Sequence, residues 1–286
     1  MGRHAFSLLA CIVVTTAGTV GLNIWQNHTA RTISYASGRV ASPAATTTKQ
    51  TAKPMTSQAL ADIQTIIANN SNLDMSVSLT DLASGKSYTY GDTASFNAAS
   101  IIKLITAVTY LHLVEQGQAS LYDDMGGVTV QSQLQSMIVD SDNDAWANLE
   151  GAVTLQAQQS FAELLGLSSY DASSNAITSS DTALLLAKLW QGKVLNTVHT
   201  QQLLSWMEQA NYRDFIVTAV PSSVTVYHKV GILDDRLHDA AIIKKGNHAY
   251  VLVIFSRDTS GLYDYSQGSA MFGDITKDSL RAVYTR

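Results

Sequence analysis

The stretch NAASIIKLITAVTYL, residues 97–111, poses the question on which the fold and the chemistry both turn. Its Ile, Leu, Val and Ala residues describe a helix apolar on every side, which belongs in a core. Yet Lys103 stands in its first turns, three residues after Ser100. An unpaired ammonium costs several kcal/mol to bury. On a helix, positions i and i+3 share a face, so the ammonium can reach the serine hydroxyl. A first-turn serine also lies among free N–H groups, where the helix dipole favours a developing anion. Desolvation, or a second cation, would lower the lysine pKa and make it a base. A Ser-x-x-Lys tetrapeptide arises about once by chance in a chain this long. Taken alone, it is better explained as a capping serine beside a snorkelling lysine.

The chain has 286 residues, is 46% hydrophobic and 14% charged, and carries a net charge of −5. Negative charge without a basic block argues against nucleic acid or anionic lipid headgroups as the principal partner. A single cysteine, Cys11, excludes an internal disulfide and any zinc site of several thiolates. The histidines show no metal-ligand spacing, and nothing calls for a cofactor. Residues 5–25 are apolar enough to span a bilayer, which needs roughly 20 residues, so residues 1–26 read as a signal anchor or signal peptide. Residues 27–56, rich in Ser, Thr, Ala and Gln, cannot bury enough surface to order themselves and read as a tether. The working domain is therefore 57–286, expected outside the cell, membrane-anchored or secreted, and monomeric.

Within it, helical periodicity follows the capping residues Thr56 and Ser57. Met75, Val77 and Leu79 alternate with polar residues, as in a half-buried strand, and a partner strand follows at 86–90. Helices dominate the middle, at 99–116, 130–138, 154–165, 180–191 and 199–209. Strands return at 224–232, 238–244 and 249–255, with Lys245-Gly246-Asn247 as a hairpin turn, and a last helix spans 267–284. The pattern predicts an α/β (α+β) fold: a five-stranded antiparallel sheet flanked by helices, with a large helical subdomain inserted.

Two further short motifs narrow the reading. Ser141-Asp142-Asn143 ends one apolar helix where another starts, and Lys229-Val230-Gly231 lies within TVYHKVGIL, a strand pattern. Separately they are a helix cap and a strand end. In the order Ser-x-x-Lys, Ser-Asp-Asn, Lys-x-Gly, they are far more specific, and together they form the motif set of class A β-lactamases and penicillin-binding proteins. From about Ser57 onward the chain resembles that superfamily, and most of all its β-lactamase-like branch with His228-Lys229-Val230-Gly231 and a downstream His238-Asp239.

The resemblance implies a serine hydrolase in which Ser100 becomes acylated and Lys103 activates it. Ser141 would relay a proton toward the leaving nitrogen, and Asn143 would hydrogen-bond the substrate amide. Lys229 would face a substrate carboxylate and depress Lys103, while Gly231 would leave room for substrate. The N–H groups of Ser100 and Ile232 would form an oxyanion hole. The implied substrate is a small β-lactam or a peptidoglycan stem peptide, lying along the strand edge like an added strand.

Two departures bear on activity. Val230 removes a hydroxyl that would bind a substrate carboxylate, with Ser222 or Thr225 as candidate substitutes. The loop GLSSYDASSNAITSS, residues 166–180, lacks the glutamate that activates the deacylating water in class A β-lactamases. Its sole carboxylate is Asp171, a candidate water base or a turn residue; Glu163, just upstream, reads as a surface helix residue. His238 reads first as a strand-start histidine packed beneath the site, with an acid–base pair of His238 and Asp239 as the second reading. β-Lactam turnover, D-alanyl-D-alanine carboxypeptidase activity and a non-turnover trapping module all stay open at this point.

Overall fold

The structure, a computed structural model, describes residues 57–284. The apolar segment 5–25 and the tether lie outside the described residues. Among the described residues no helix is long and apolar enough to cross a membrane.

The chain opens with helix α1 (Ser57–Asn69), then strands β1 (Leu73–Asp81) and β2 (Ser87–Gly91). A helical block follows: α2 (Lys103–Glu115), α3 (Val130–Val139), α4 (Asn143–Val153), α5 (Leu155–Leu164), α6 (Ser179–Trp190) and α7 (Thr197–Glu208). Strands β3 (Thr225–Leu233), β4 (Arg236–Lys245) and β5 (His248–Asp258) return the chain to the sheet, and α8 (Tyr265–Tyr284) closes it. The sheet runs β2-β1-β5-β4-β3, every pair antiparallel. Two-residue turns at 234–235 and 246–247 join β3 to β4 and β4 to β5, and Gly246 meets the second with φ of 59°.

The sheet separates two apolar cores. Val77, Leu79, Leu252 and Ile254 face Ile63, Phe272 and Ile275 of α1 and α8. Val251, Val253 and Phe255 face the helical block, in which Leu104, Val108, Leu134, Leu149 and Leu186 are buried. α2 runs through this second core, and all of Lys103 to Leu111 is buried, as its apolar sequence dictates.

One strand departs from expectation. β1 is buried on both faces, not half-buried. Its polar positions Ser76 and Ser78 lie under α6, where the Ser179 hydroxyl meets theirs at 2.7 and 2.8 Å. Their alternation with Val77 and Leu79 thus marks a polar seam and not a solvent face. Because Ser179 joins two buried hydroxyls, Ser179→Ala should cost about 1–3 kcal/mol. In urea denaturation, Ser76→Ala combined with Ser179→Ala should cost less than the sum of the single variants.

Candidate active site

Ser100 lies in a 3₁₀ turn, Ala99–Ile102, that leads into α2, and Lys103 is the first α-helical residue. The expected single helix from residue 99 is therefore tightened over its first turn. Ala99 holds a φ of +47°, strained for a residue with a side chain. The surroundings over-determine that conformation. Asn175 O accepts from Ala98 N at 2.7 Å, and Asn97 Oδ1 accepts from Ala99 N at 3.0 Å. Gly231 completes the clamp from the sheet side. A Cβ there would stand 2.9 Å from Ala98 O and 3.2 Å from Ala99 Cβ. Its missing side chain therefore makes room for the Ser100 turn itself, and not for substrate as expected.

The Ser100 hydroxyl has no hydrogen-bond partner among the described residues, and it opens into a pocket of about 200 Å3 with Ser141, Asn143, Tyr212, Val230 and Ile232. Lys103 does not hydrogen-bond it. The ammonium donates instead to Ser141 O at 2.5 Å, Asn143 Oδ1 at 2.7 Å and, at 3.4 Å, Ser141 Oγ. A cation with almost no solvent access takes the strongest acceptors in reach, and a backbone carbonyl and an amide oxygen are stronger than a hydroxyl. The Trp146 ring centroid lies 5.7 Å from the same ammonium.

From β3, Lys229 donates to Ser141 Oγ at 2.8 Å and to Val230 O at 3.2 Å. Ser141 thus bridges two buried lysines from a left-handed backbone, φ +58°. Burial lowers the Lys103 pKa to about 8, with Asp142 pulling it back up. Burial first, then the charge of Lys103, lowers Lys229 to about 7, against an opposing pull from Asp239. The repulsion between the two ammonium groups is mutual, so each disfavours the proton on the other. Asp142 acts as the expected cap, accepting from Asp144 N and Ala145 N at the start of α4.

The remaining candidates lie elsewhere or are otherwise engaged. His238 and Asp239 are not an acid–base pair, because neighbouring strand residues point to opposite faces. His238 Nε2 faces Asn97 O at 3.0 Å and its Nδ1 accepts from Ser256 N at 3.2 Å. Burial lowers its pKa to about 4, so it stays neutral and props the residue before the Ser100 turn. Asp239 instead meets His228 Nδ1 at 3.1 Å, on the other face and wholly buried. That pairing was readable from the two-residue strand period across the β3–β4 hairpin. Asp171 is not a water base: Ser173 and Ser174 hydroxyls and the Ser173 N–H occupy its carboxylate in a turn. These bonds lower its pKa to about 2. Glu163 is an exposed helix residue, as read. Neither Ser222 nor Thr225 lines the pocket, while Tyr212 does. Its one sequence signal is Asn211 beside it, a residue common at turns.

A serine with a free hydroxyl, sharing a pocket with a second serine that two depressed lysines contact, belongs to a serine hydrolase of the acyl-enzyme type. The chain belongs to the beta-lactamase enzyme family, whose model matches residues 58–284. No curated protein matches it by sequence. Among solved structures, PBP-A is similar at 22% identity and TM-score 0.73, covering 82% of this chain and 100% of PBP-A. A β-lactamase from Sphaerobacter thermophilus DSM 20745 is similar at 20% identity and TM-score 0.73, covering 80% of this chain and 98% of that one. A PBP-A variant in acyl-enzyme complex with penicillin G is similar at 20% identity and TM-score 0.74, covering 82% of this chain and 100% of that one.

Both lysines bind protons more weakly in the fold than in the unfolded chain, where their pKa is near 10.4. Between about pH 7 and 9.5 the unfolded state therefore holds more protons, and stability rises with pH. Urea midpoints should climb across that window, and the climb should flatten in Lys229→Met. Gly231→Ala, which presses on Ala98 O, should cost about 1–3 kcal/mol of stability by the same measurement.

Proposed function

We propose that this protein is an extracytoplasmic, membrane-tethered acyl-serine hydrolase of β-lactams or chemically related cell-wall amides, with Ser100 as nucleophile. The observation that carries this reading is Ser141 Oγ, hydrogen-bonded to Lys229 and within 3.4 Å of Lys103, in the pocket where the Ser100 hydroxyl is free.

The two lysines act as one proton-sharing unit. With a single proton between them, one nitrogen is a base and the other keeps the pocket positive for an anionic substrate group. Lys103 takes the Ser100 proton as the hydroxyl attacks the amide carbon. Ser141 then passes a proton to the leaving nitrogen. Asn143 has its oxygen on Lys103, which leaves its NH2 to donate to the substrate carbonyl. β3 is the edge of the sheet, so it can take the substrate as an added strand. The N–H groups of Ser100 and Ile232 serve as oxyanion donors, each worth roughly 3 kcal/mol.

Deacylation is the slow half. The only carboxylate of the 166–180 loop is tied into its own turn, and Glu163 faces solvent. That favours a long-lived acyl-enzyme, the behaviour of a penicillin-binding peptidase, over rapid β-lactam turnover.

The test is intact-mass spectrometry with benzylpenicillin alongside colour release from a chromogenic cephalosporin. The expected result is a stable one-to-one adduct on Ser100 with release far slower than acylation. No adduct, or an adduct that persists in Ser100→Ala, overturns the reading; fast steady turnover overturns the slow-deacylation part alone. The acylation rate should rise between about pH 6 and 8, as the lysine pair loses its first proton, and Lys103→Met should lower it at least about 100-fold.

A further inference from the structure

A second cavity, of about 240 Å3, opens between the β1–β2 edge of the sheet and α6, and it shares no residue with the Ser100 pocket. Its floor is made of hydroxyls. Strand alternation turns Ser78 and Thr80 of β1, with Ser87 and Thr89 of β2, toward α6. Tyr88 and Tyr90 pack instead with the α1–α8 core. The hydroxyls stand in cross-strand pairs, Ser78 with Thr89 at 3.0 Å and Thr80 with Ser87 at 2.9 Å. Two hydroxyls joined by one hydrogen bond keep one O–H to give.

The opposite wall supplies charge. Ala183 and Ala187, one turn apart on α6, leave the cavity open, and the end of that helix brings Lys188, Gln191 and Lys193 to its rim. Lys188 spends one N–H on Leu165 O at 2.6 Å, which leaves two. The Lys193 ammonium and the Gln191 amide have no partner among the described residues. The chain is acidic overall, yet no carboxylate lines this cavity. The neighbouring ones are committed: Asp81 accepts from Ala83 N and the Ser84 hydroxyl, and Asp181 from the Ser169 N–H and hydroxyl. The C-terminal end of α6 would oppose an anion, but Ala187 O, Lys188 O and Leu189 O already accept from Gln191 N, Lys193 N and Gly192 N. Ammonium and amide donors on one wall and O–H donors on the other suit a tetrahedral oxyanion, which can accept from both at once.

We infer that this cavity binds a phosphate group carried by a larger molecule, at a site separate from acylation and independent of the Ser100 reading. The full-length protein is titrated calorimetrically with inorganic phosphate, at an ionic strength held constant with chloride. Phosphate should bind one to one with a Kd below about 5 mM. Lys193→Met, which removes no contact within the protein, should weaken binding at least about five-fold, and adding Lys188→Met should weaken it further. Lys277→Met, on α8, should change it by less than about two-fold. Glycerol 3-phosphate and glycerophosphoglycerol then separate a phosphorylated small molecule from a phosphodiester polymer, and binding of either supports the site. The inference is overturned by an absence of saturable phosphate binding or by rejection of both esters. An affinity unchanged in Lys193→Met, or lowered as much in Lys277→Met, overturns it equally. Benzylpenicillin labelling of Ser100 is read separately, so either result stands without the other.

Discussion

The structure depends on holding two ammonium groups in one dry place. Lys103 comes from the helical block and Lys229 from the edge of the sheet, and Ser141 lies between them. Neither lysine has a carboxylate within hydrogen-bonding reach; their acceptors are two carbonyls, an amide oxygen and a shared hydroxyl. Neutral acceptors solvate an ammonium without fixing its proton, whereas an adjacent carboxylate would raise the pKa and end its use as a base. Destabilisation is therefore built into the reactive state, an arrangement common where activity and stability compete.

Everything else at the site serves to maintain that juxtaposition. Asp142 fixes the start of α4 and so the left-handed Ser141. Asn97, Asn175 and Gly231 hold the strained Ala99 and with it the Ser100 turn. Asp239, on the opposite face of the hairpin, pulls the Lys229 pKa back up. It also accepts from Ile216 N, tying the segment before β3 to the sheet.

Much of this was legible in the sequence because it rests on period and order. Five strands bracketing a helical block, the all-apolar α2 and the three motifs in sequence pointed to Ser100, Ser141 and Lys229 as one site, and Ser141 does share a pocket with Ser100 and a hydrogen bond with Lys229. What escaped was decided by facing and by acceptor competition. The polar alternation of β1 reads the same whether water or Ser179 lies opposite. His238 and Asp239 are adjacent in the chain, but a strand sends them to different cores. Lys103 took its oxygens from Ser141 and Asn143 of the Ser-Asp-Asn motif, but one of them is a main-chain carbonyl, which a motif of side chains does not show, and Gly231 accommodates backbone about 130 residues away in the chain. Tyr212 carried no pattern beyond the turn residue beside it, since exposed loop residues show none until a pocket forms beside them.

The contact at Gly231 has a consequence for how the family's edge strand can vary. Because the strand packs directly on the backbone of the nucleophile turn, the distance between nucleophile and substrate-binding edge is set by two main chains in van der Waals contact. Side chains around the pocket can then be exchanged, as Val230 illustrates, without moving the reacting centre. Substrate choice is free to drift while the attack geometry is inherited unchanged.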